Sequence, residues 1–250
     1  VGVPFLVLAA TSSLLQLWYG EQSGREPFSL YAISNAGSLL GLITYPFLLE
    51  RWLPTLEHAA WWVWGWYAYA IIFALLILSF WLLPTPKRPA AANAPVTARQ
   101  FIWWMFLTAV PVAALVAATQ QLTTAIAPIP FLWVAPLGLY LLSFVISFRG
   151  RSTPLWFNAA AVLALGMPAL VFSMLVIHVV LSLAVSLFAL FAVFHFCHDQ
   201  LYAARPHTAR SPHYYLALAL GGVVGSLVVT GSSLYVLPLP LEWLIILVGV

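Results

Sequence analysis

The sequence predicts an all-α fold, a polytopic transmembrane helix bundle with about eight full spans and the start of a ninth. Composition and block length carry that prediction. Of 250 residues, 64% are apolar and 6% charged, and the mean hydropathy is +1.02; too little polar surface is left to coat a water-soluble domain. The apolar blocks run close to the roughly 20 residues that cross a hydrocarbon core as a helix, well beyond the roughly ten of a barrel strand. In lipid, an isolated segment satisfies its own backbone only as a helix.

Charges and prolines bound the blocks. They predict helices over 2–19, closed by Glu21, over 28–49, between Pro27 and Glu50, and over 60–83, ending at Pro84. Further helices are expected over 100–119 after Arg99, and over 130–148 between Pro130 and Arg149. The next two, 155–174 and 176–197, are separated only on the strength of Pro168 and the block length, because "LGMPALVFSMLVIH" has no charged loop. The eighth covers 213–236 and a ninth begins near 240. The chain therefore divides into a first membrane segment, 1–83, with three spans, and a second, 100–250, with about five spans and part of another. Between them "PTPKRPAAANAPVTAR", 84–99, reads as an extended Pro/Ala-rich tether. Val1 stands where an initiator methionine would, and "LEWLIILVGV" is apolar yet too short to span. The natural polypeptide is expected to continue beyond one or both ends.

Basic residues set the orientation. Eight crossings put Arg25, Lys87, Arg88, Arg99, Arg149, Arg151, Arg205 and Arg210 on one side and Arg51 on the other, so 84–99, 149–154 and 198–212 are expected in the cytoplasm. Trp61, Trp62, Trp103, Trp104, Trp133 and Trp156 fall near predicted helix ends, where indole rings prefer the interface. The net charge of +3 then reflects topology and anionic headgroups, so the expected partner is the lipid bilayer and not nucleic acid. Cys197 is the only cysteine, which excludes an internal disulfide or a cysteine-based metal cluster in one chain.

Four patches carry polar chemistry. In "TQQLTTAIAPIP", Gln120, Gln121, Thr123 and Thr124 offer amides and hydroxyls without fixed charge, suited to a polar ligand at the mouth of a bundle or to closing the fourth helix. In "YAISNAGSLLG", Ser34 and Asn35 lie a short way into a span, where an amide must find a partner and doubles as interhelical glue. In "FHFCHDQLYAARPH", His195, His198 and Asp199 share a helical face and form a candidate divalent-metal set, while histidines close to a helix C-terminus are also favoured by its dipole. His178 stands alone within a span, a candidate haem ligand or proton relay, or a hydrogen-bond partner for a neighbouring helix. Finally "YYLALALGGVVGS" places Ala217, Gly221 and Gly225 on one stripe, a close-packing seam.

No phosphate loop, nucleophile elbow or HExxH occurs. Glu21, Glu26, Glu50, Glu57, Asp199 and Glu242 all map to helix ends or loops, so no span carries the buried carboxylate of many ion-coupled transporters. No catalytic constellation is recognisable.

The order of "PFLVLAATSSLLQLWY", "PFSLYAISNAGSLLGLITYPFLLE", "TQQLTTAIAPIPFLWVAPLGLYLLSFVISF" and "CHDQLYAARPHTARSPHYYLALALGGVVGS" resembles the membrane module of the fused spermidine synthase-like proteins of bacteria. The resemblance runs through nearly the whole chain. It implies a transporter-like membrane part in the bacterial inner membrane, joined to a cytoplasmic aminopropyltransferase-type domain that would follow residue 250. It departs where the family reads HGEL, since "HDQL" has Gln200 in the glutamate position, and "SPHYY" replaces the family's later signature. Two functions are therefore expected as alternatives. One is a membrane domain that anchors a cytoplasmic domain and handles a small polar or cationic solute; the other is a structural or accessory subunit of a larger membrane complex.

Overall fold

The computed structural model describes residues 2–23, 28–82, 95–125, 130–149, 179–206 and 210–235. Among them it is all-helical. Helix α1 is Gly2–Ser23, and α2 is Phe28–Thr44, prolonged by a π-helical turn, Tyr45–Leu49, and a short helical turn, Glu50–Trp52. Then follow α3 (Thr55–Leu82), α4 (Ala98–Ala125), α5 (Pro130–Ser147), α6 (Val179–Ala203) and α7 (Ser211–Tyr235).

Local chemistry explains several boundaries. Thr97 caps α4, its Oγ1 accepting the Gln100 N–H at 3.3 Å. Pro46 has no N–H to donate, and its ring crowds the preceding turn; the helix widens here, and the Glu50 N–H reaches back to the Tyr45 carbonyl. Pro206 discourages helical geometry in the residue before it, so α6 stops and Arg205 closes it on the Tyr202 carbonyl. Pro212 sits in the first turn of α7, where a missing N–H costs nothing.

Among the described residues, five stretches are long and apolar enough to cross a membrane: Phe28–Trp52, Glu57–Ser79, Ala98–Leu122, Leu183–Ala203 and Ser211–Ser232. Val134–Ser147, within α5, is apolar but shorter. The five stretches correspond to five of the eight spans and start of a ninth expected. Helix α1 is a further apolar helix of 22 residues, into which Thr11, Ser12, Ser13 and Gln16 bring polar groups. The sixth expected helix, 155–174, and the ninth lie outside the described residues, as does the tether through residue 94.

Two boundaries differ from expectation. Helix α4 runs on to Ala125 instead of ending at 119, because uncharged Gln and Thr side chains continue a helix at small cost. Helix α6 passes 197 and ends at Ala203, which takes 198–203 out of the expected loop and places His198 and Asp199 within the helix.

Helices α2 and α4 to α7 form the packed body. The close approach of α4 and α7 rests on glycine: a Cβ on Gly221 would meet the Met105 carbonyl and the Thr108 side chain, and one on Gly225 the Ala109 carbonyl. Ala217 is fully buried on the same stripe, and Val229 packs with Ala113 and Ala117 further along. The main apolar cluster joins Phe28, Trp104, Phe144, Phe148, Leu201 and Tyr214. These belong to the start of α2, α4 and α7 and to the end of α5 and α6, so α2, α4 and α7 run one way through the body and α5 and α6 the other.

Helix α3 is different. Among the described residues no side chain of its Glu57–Ser79 stretch is buried, and Trp61, Trp62, Trp64, Ile71 and Ile72 are all exposed. Its ties among the described residues include a Thr11 Oγ1–Tyr69 hydroxyl hydrogen bond at 3.0 Å, and His58, which lies 3.1 Å from the Leu53 carbonyl at Nε2 and 3.5 Å from the Tyr45 hydroxyl at Nδ1.

Candidate functional site: a buried serine–histidine row beside an aromatic wall

Helix α5 carries Ser143 and Ser147 four residues apart, and α6 carries His195 and His198 three apart, each pair about one turn. The helices meet so that each histidine faces one serine. Ser147 Oγ lies 3.0 Å from His195 Nδ1, and Ser143 Oγ lies 2.7 Å from His198 Nδ1. All four residues are buried, His198 completely. Ser143 donates its own proton to the Tyr140 carbonyl at 2.7 Å, so its oxygen accepts from His198 Nδ1. The neutral imidazole then keeps Nε2 as a bare acceptor, and Nε2 is buried without a hydrogen-bond partner.

The ring is held firmly. Phe144 stacks on it with centroids 3.5 Å apart, and Tyr140 meets it edge-on at 5.0 Å. From Phe144 an aromatic wall continues through Tyr31 at 5.2 Å to Tyr215, stacked on Tyr31 at 5.9 Å. At its far side the Tyr215 hydroxyl donates to Gln16 Oε1, the Gln16 amide donates to Ser12 Oγ at 3.2 Å, and Ser12 donates to Ser34 Oγ at 3.4 Å. Gln16 is 2% exposed, so α1 meets α2 and α7 through a buried amide and hydroxyls.

The end of α6 is closed by aromatic donors. The Tyr214 hydroxyl bonds the Leu201 carbonyl at 3.0 Å, and the Arg205 guanidinium sits over the Tyr202 ring at 3.9 Å while donating to the Tyr202 carbonyl. These groups serve carbonyls that a helix end leaves open.

The residues singled out in the sequence are distributed as follows. Ser34 takes part in the α1–α2 contact, whereas Asn35 turns its amide back onto the Tyr31 carbonyl of its own helix at 2.8 Å. Gln120 and Gln121 are half-buried near the far end of α4, and Thr123 and Thr124 lie in its last turn. Gln121 stands 17 positions after Trp104, so that end is roughly 25 Å from the aromatic cluster at a helical rise of about 1.5 Å. The "QQLTT" patch and the histidines therefore do not share a site. Among the described residues no three His, Cys, Asp or Glu side chains stand together to hold a metal ion. His195 and His198 are turned to serines, and Asp199 is half-buried on the His195 face. His178 lies outside the described residues. Ala217, Gly221 and Gly225 lie on the face of α7 against α4.

Sequence reading passed over Gln16, Ser143, Ser147 and Tyr215. Serines at i and i+4 facing histidines at i and i+3 are a detectable pattern. The Tyr215–Gln16 contact spans 199 residues and leaves no local trace.

Known proteins supply no further guide: no family model, no curated protein and no solved structure matches the chain.

Proposed function

We propose that the chain is the membrane module of a larger spermidine synthase-like protein of the bacterial inner membrane, which anchors a cytoplasmic domain and handles a small polar or cationic solute. One observation carries the solute-handling part: uncharged hydrogen-bonding side chains, from Gln16 to Ser143 and His198, are gathered inside apolar helices. Polar groups in such surroundings are costly and mark the routes and sites of solutes. Sidedness is supported by Arg99, Arg149, Arg205 and Arg210, which follow or precede the helix ends that meet in the Trp104 cluster. By the positive-inside rule that end faces the cytoplasm, and eight crossings would deliver both membrane segments to their loops consistently.

Intact mass and peptide mapping of the natural polypeptide test the anchoring part: a mass far above 27.5 kDa with a nucleotide-binding domain is expected. Solute flux in vesicles tests the other part. Gln16→Leu is expected to reduce flux while inserting normally, and flux equal to the parent protein overturns this assignment. The Gln120→Ala/Gln121→Ala double variant separates a role for the opposite end.

The unburied α3 favours a second reading, a structural or accessory subunit whose aromatic helix meets other membrane proteins. Copurification with other membrane proteins at fixed stoichiometry is its signature, and a monodisperse monomer in mild detergent contradicts it.

A further inference from the structure

We infer that His198 Nε2 is the anchoring acceptor of a binding site for a compact, uncharged O–H or N–H donor, walled by the rings of Tyr140, Phe144 and Phe194. The inference rests on the solute-handling reading above and narrows it.

Three observations lead to it. The Tyr140 carbonyl takes the Ser143 proton, which makes Ser143 an acceptor for His198 Nδ1–H and leaves Nε2 as a lone pair. That lone pair is fully buried and has no partner, whereas buried polar atoms are nearly always satisfied. The ring is held by the Ser143 hydrogen bond, by Phe144 stacked at 3.5 Å and by Tyr140 edge-on at 5.0 Å, with Phe194 further off at 6.5 Å. An imidazole whose one nitrogen is tethered by a hydrogen bond has its other nitrogen oriented for a ligand, the same arrangement that orients histidines toward metals. Here the other ligating groups of a metal site are absent among the described residues, so the lone pair is left to a hydrogen-bond donor.

The walls select its charge. An anion would meet a bare acceptor instead of a donor. A cation would gain from the ring faces but would find no contacting carboxylate among the described residues, since Asp199 belongs to the His195 face, and uncompensated charge is disfavoured at such depth. An uncharged alcohol or amide meets neither objection. It has two possible sources, a free solute or the hydroxyl-bearing headgroup of a lipid.

The test is nitrogen-15 NMR of histidine-labelled full chain in phosphatidylcholine nanodiscs, whose headgroup offers no O–H or N–H donor. His198→Gln assigns the resonance by its loss. Glycerol is the free probe, and exchange of the lipid for phosphatidylglycerol is the lipid probe. A saturable move of Nε2 toward its hydrogen-bonded position with glycerol supports a free solute, and the same move with phosphatidylglycerol supports a lipid hydroxyl. Ser143→Ala, which releases Nδ1, is expected to weaken the half-saturation about tenfold. An Nε2 signal unmoved by both probes overturns the inference, and so does one already hydrogen-bonded in phosphatidylcholine and indifferent to them, which assigns the position to water. Flux is read separately: saturable binding without flux keeps this site and removes transport, whereas flux with an unmoved Nε2 does the reverse.

Discussion

Trp104 on α4 donates its indole N–H to the carbonyl of Ala204 at 2.9 Å, just beyond the end of α6, while its ring meets Tyr214 of α7 edge-on at 5.2 Å. One fully buried side chain thereby ties three helices together. The indole also satisfies a backbone oxygen that a helix terminus would otherwise leave without a partner.

Trp104→Phe keeps most of the packing and deletes the donor. It is expected to destabilise the bundle by about 1–3 kcal/mol, the cost of leaving a buried carbonyl unpaired. Thermal or denaturant unfolding in detergent measures this, and a variant as stable as the parent would show that water replaces the indole.

The glycine seam predicts a contrast between positions. A methyl group at Gly221 or Gly225 has to displace the α4 backbone at Met105 or Ala109, so each change to alanine is expected to cost about 1–3 kcal/mol through overpacking. Gly65 has open space around it, and Gly65→Ala is expected to be neutral or to stabilise α3 by up to about 1 kcal/mol through helix propensity. Folding yield and melting temperature of the three variants decide the point.

Gln16 and Tyr215 couple α1 to α7 through one hydrogen bond. A double-mutant cycle with Gln16→Leu and Tyr215→Phe is expected to return a coupling of about 0.5–1.5 kcal/mol, while the same cycle with Gln16 and Tyr67 returns none.

Ile71 is exposed on α3 within the apolar stretch Glu57–Ser79. If that stretch spans the bilayer, Ile71→Lys raises the cost of insertion by about 2.5–3.5 kcal/mol on the translocon scale. A glycosylation-mapping assay reads the loss of insertion, and unchanged insertion would place α3 outside the hydrocarbon.

Much of the helical pattern was legible because lipid and proline impose it. Helices expected over 28–49, 130–148 and 213–236 are found as Phe28–Trp52, Pro130–Ser147 and Ser211–Tyr235, the first by way of its π turn. The ends at 119 and 197 were misplaced for a common reason: Gln120, Thr123, His198 and Asp199 look like loop in a hydropathy profile, yet a polar side chain ends a helix only when it also breaks the backbone pattern. At the candidate site, the sequence put His195, His198 and Asp199 on one face, but their serine partners on α5 depend on which helices become neighbours, and hydropathy does not encode that.

The apolar stretch of helix α3, Glu57–Ser79, contains 23 residues, about 35 Å of rod at 1.5 Å per residue, against a hydrocarbon thickness of about 30 Å. The packed body has its inclination fixed by neighbours, whereas among the described residues α3 buries no side chain of that stretch. Its tilt is then set by the bilayer: in a thinner membrane α3 reclines and in a thicker one it stands up, while the body beside it keeps its shape. One chain would thus contain a rigid block and a gauge of membrane thickness, connected by the turn at Leu53 and Pro54.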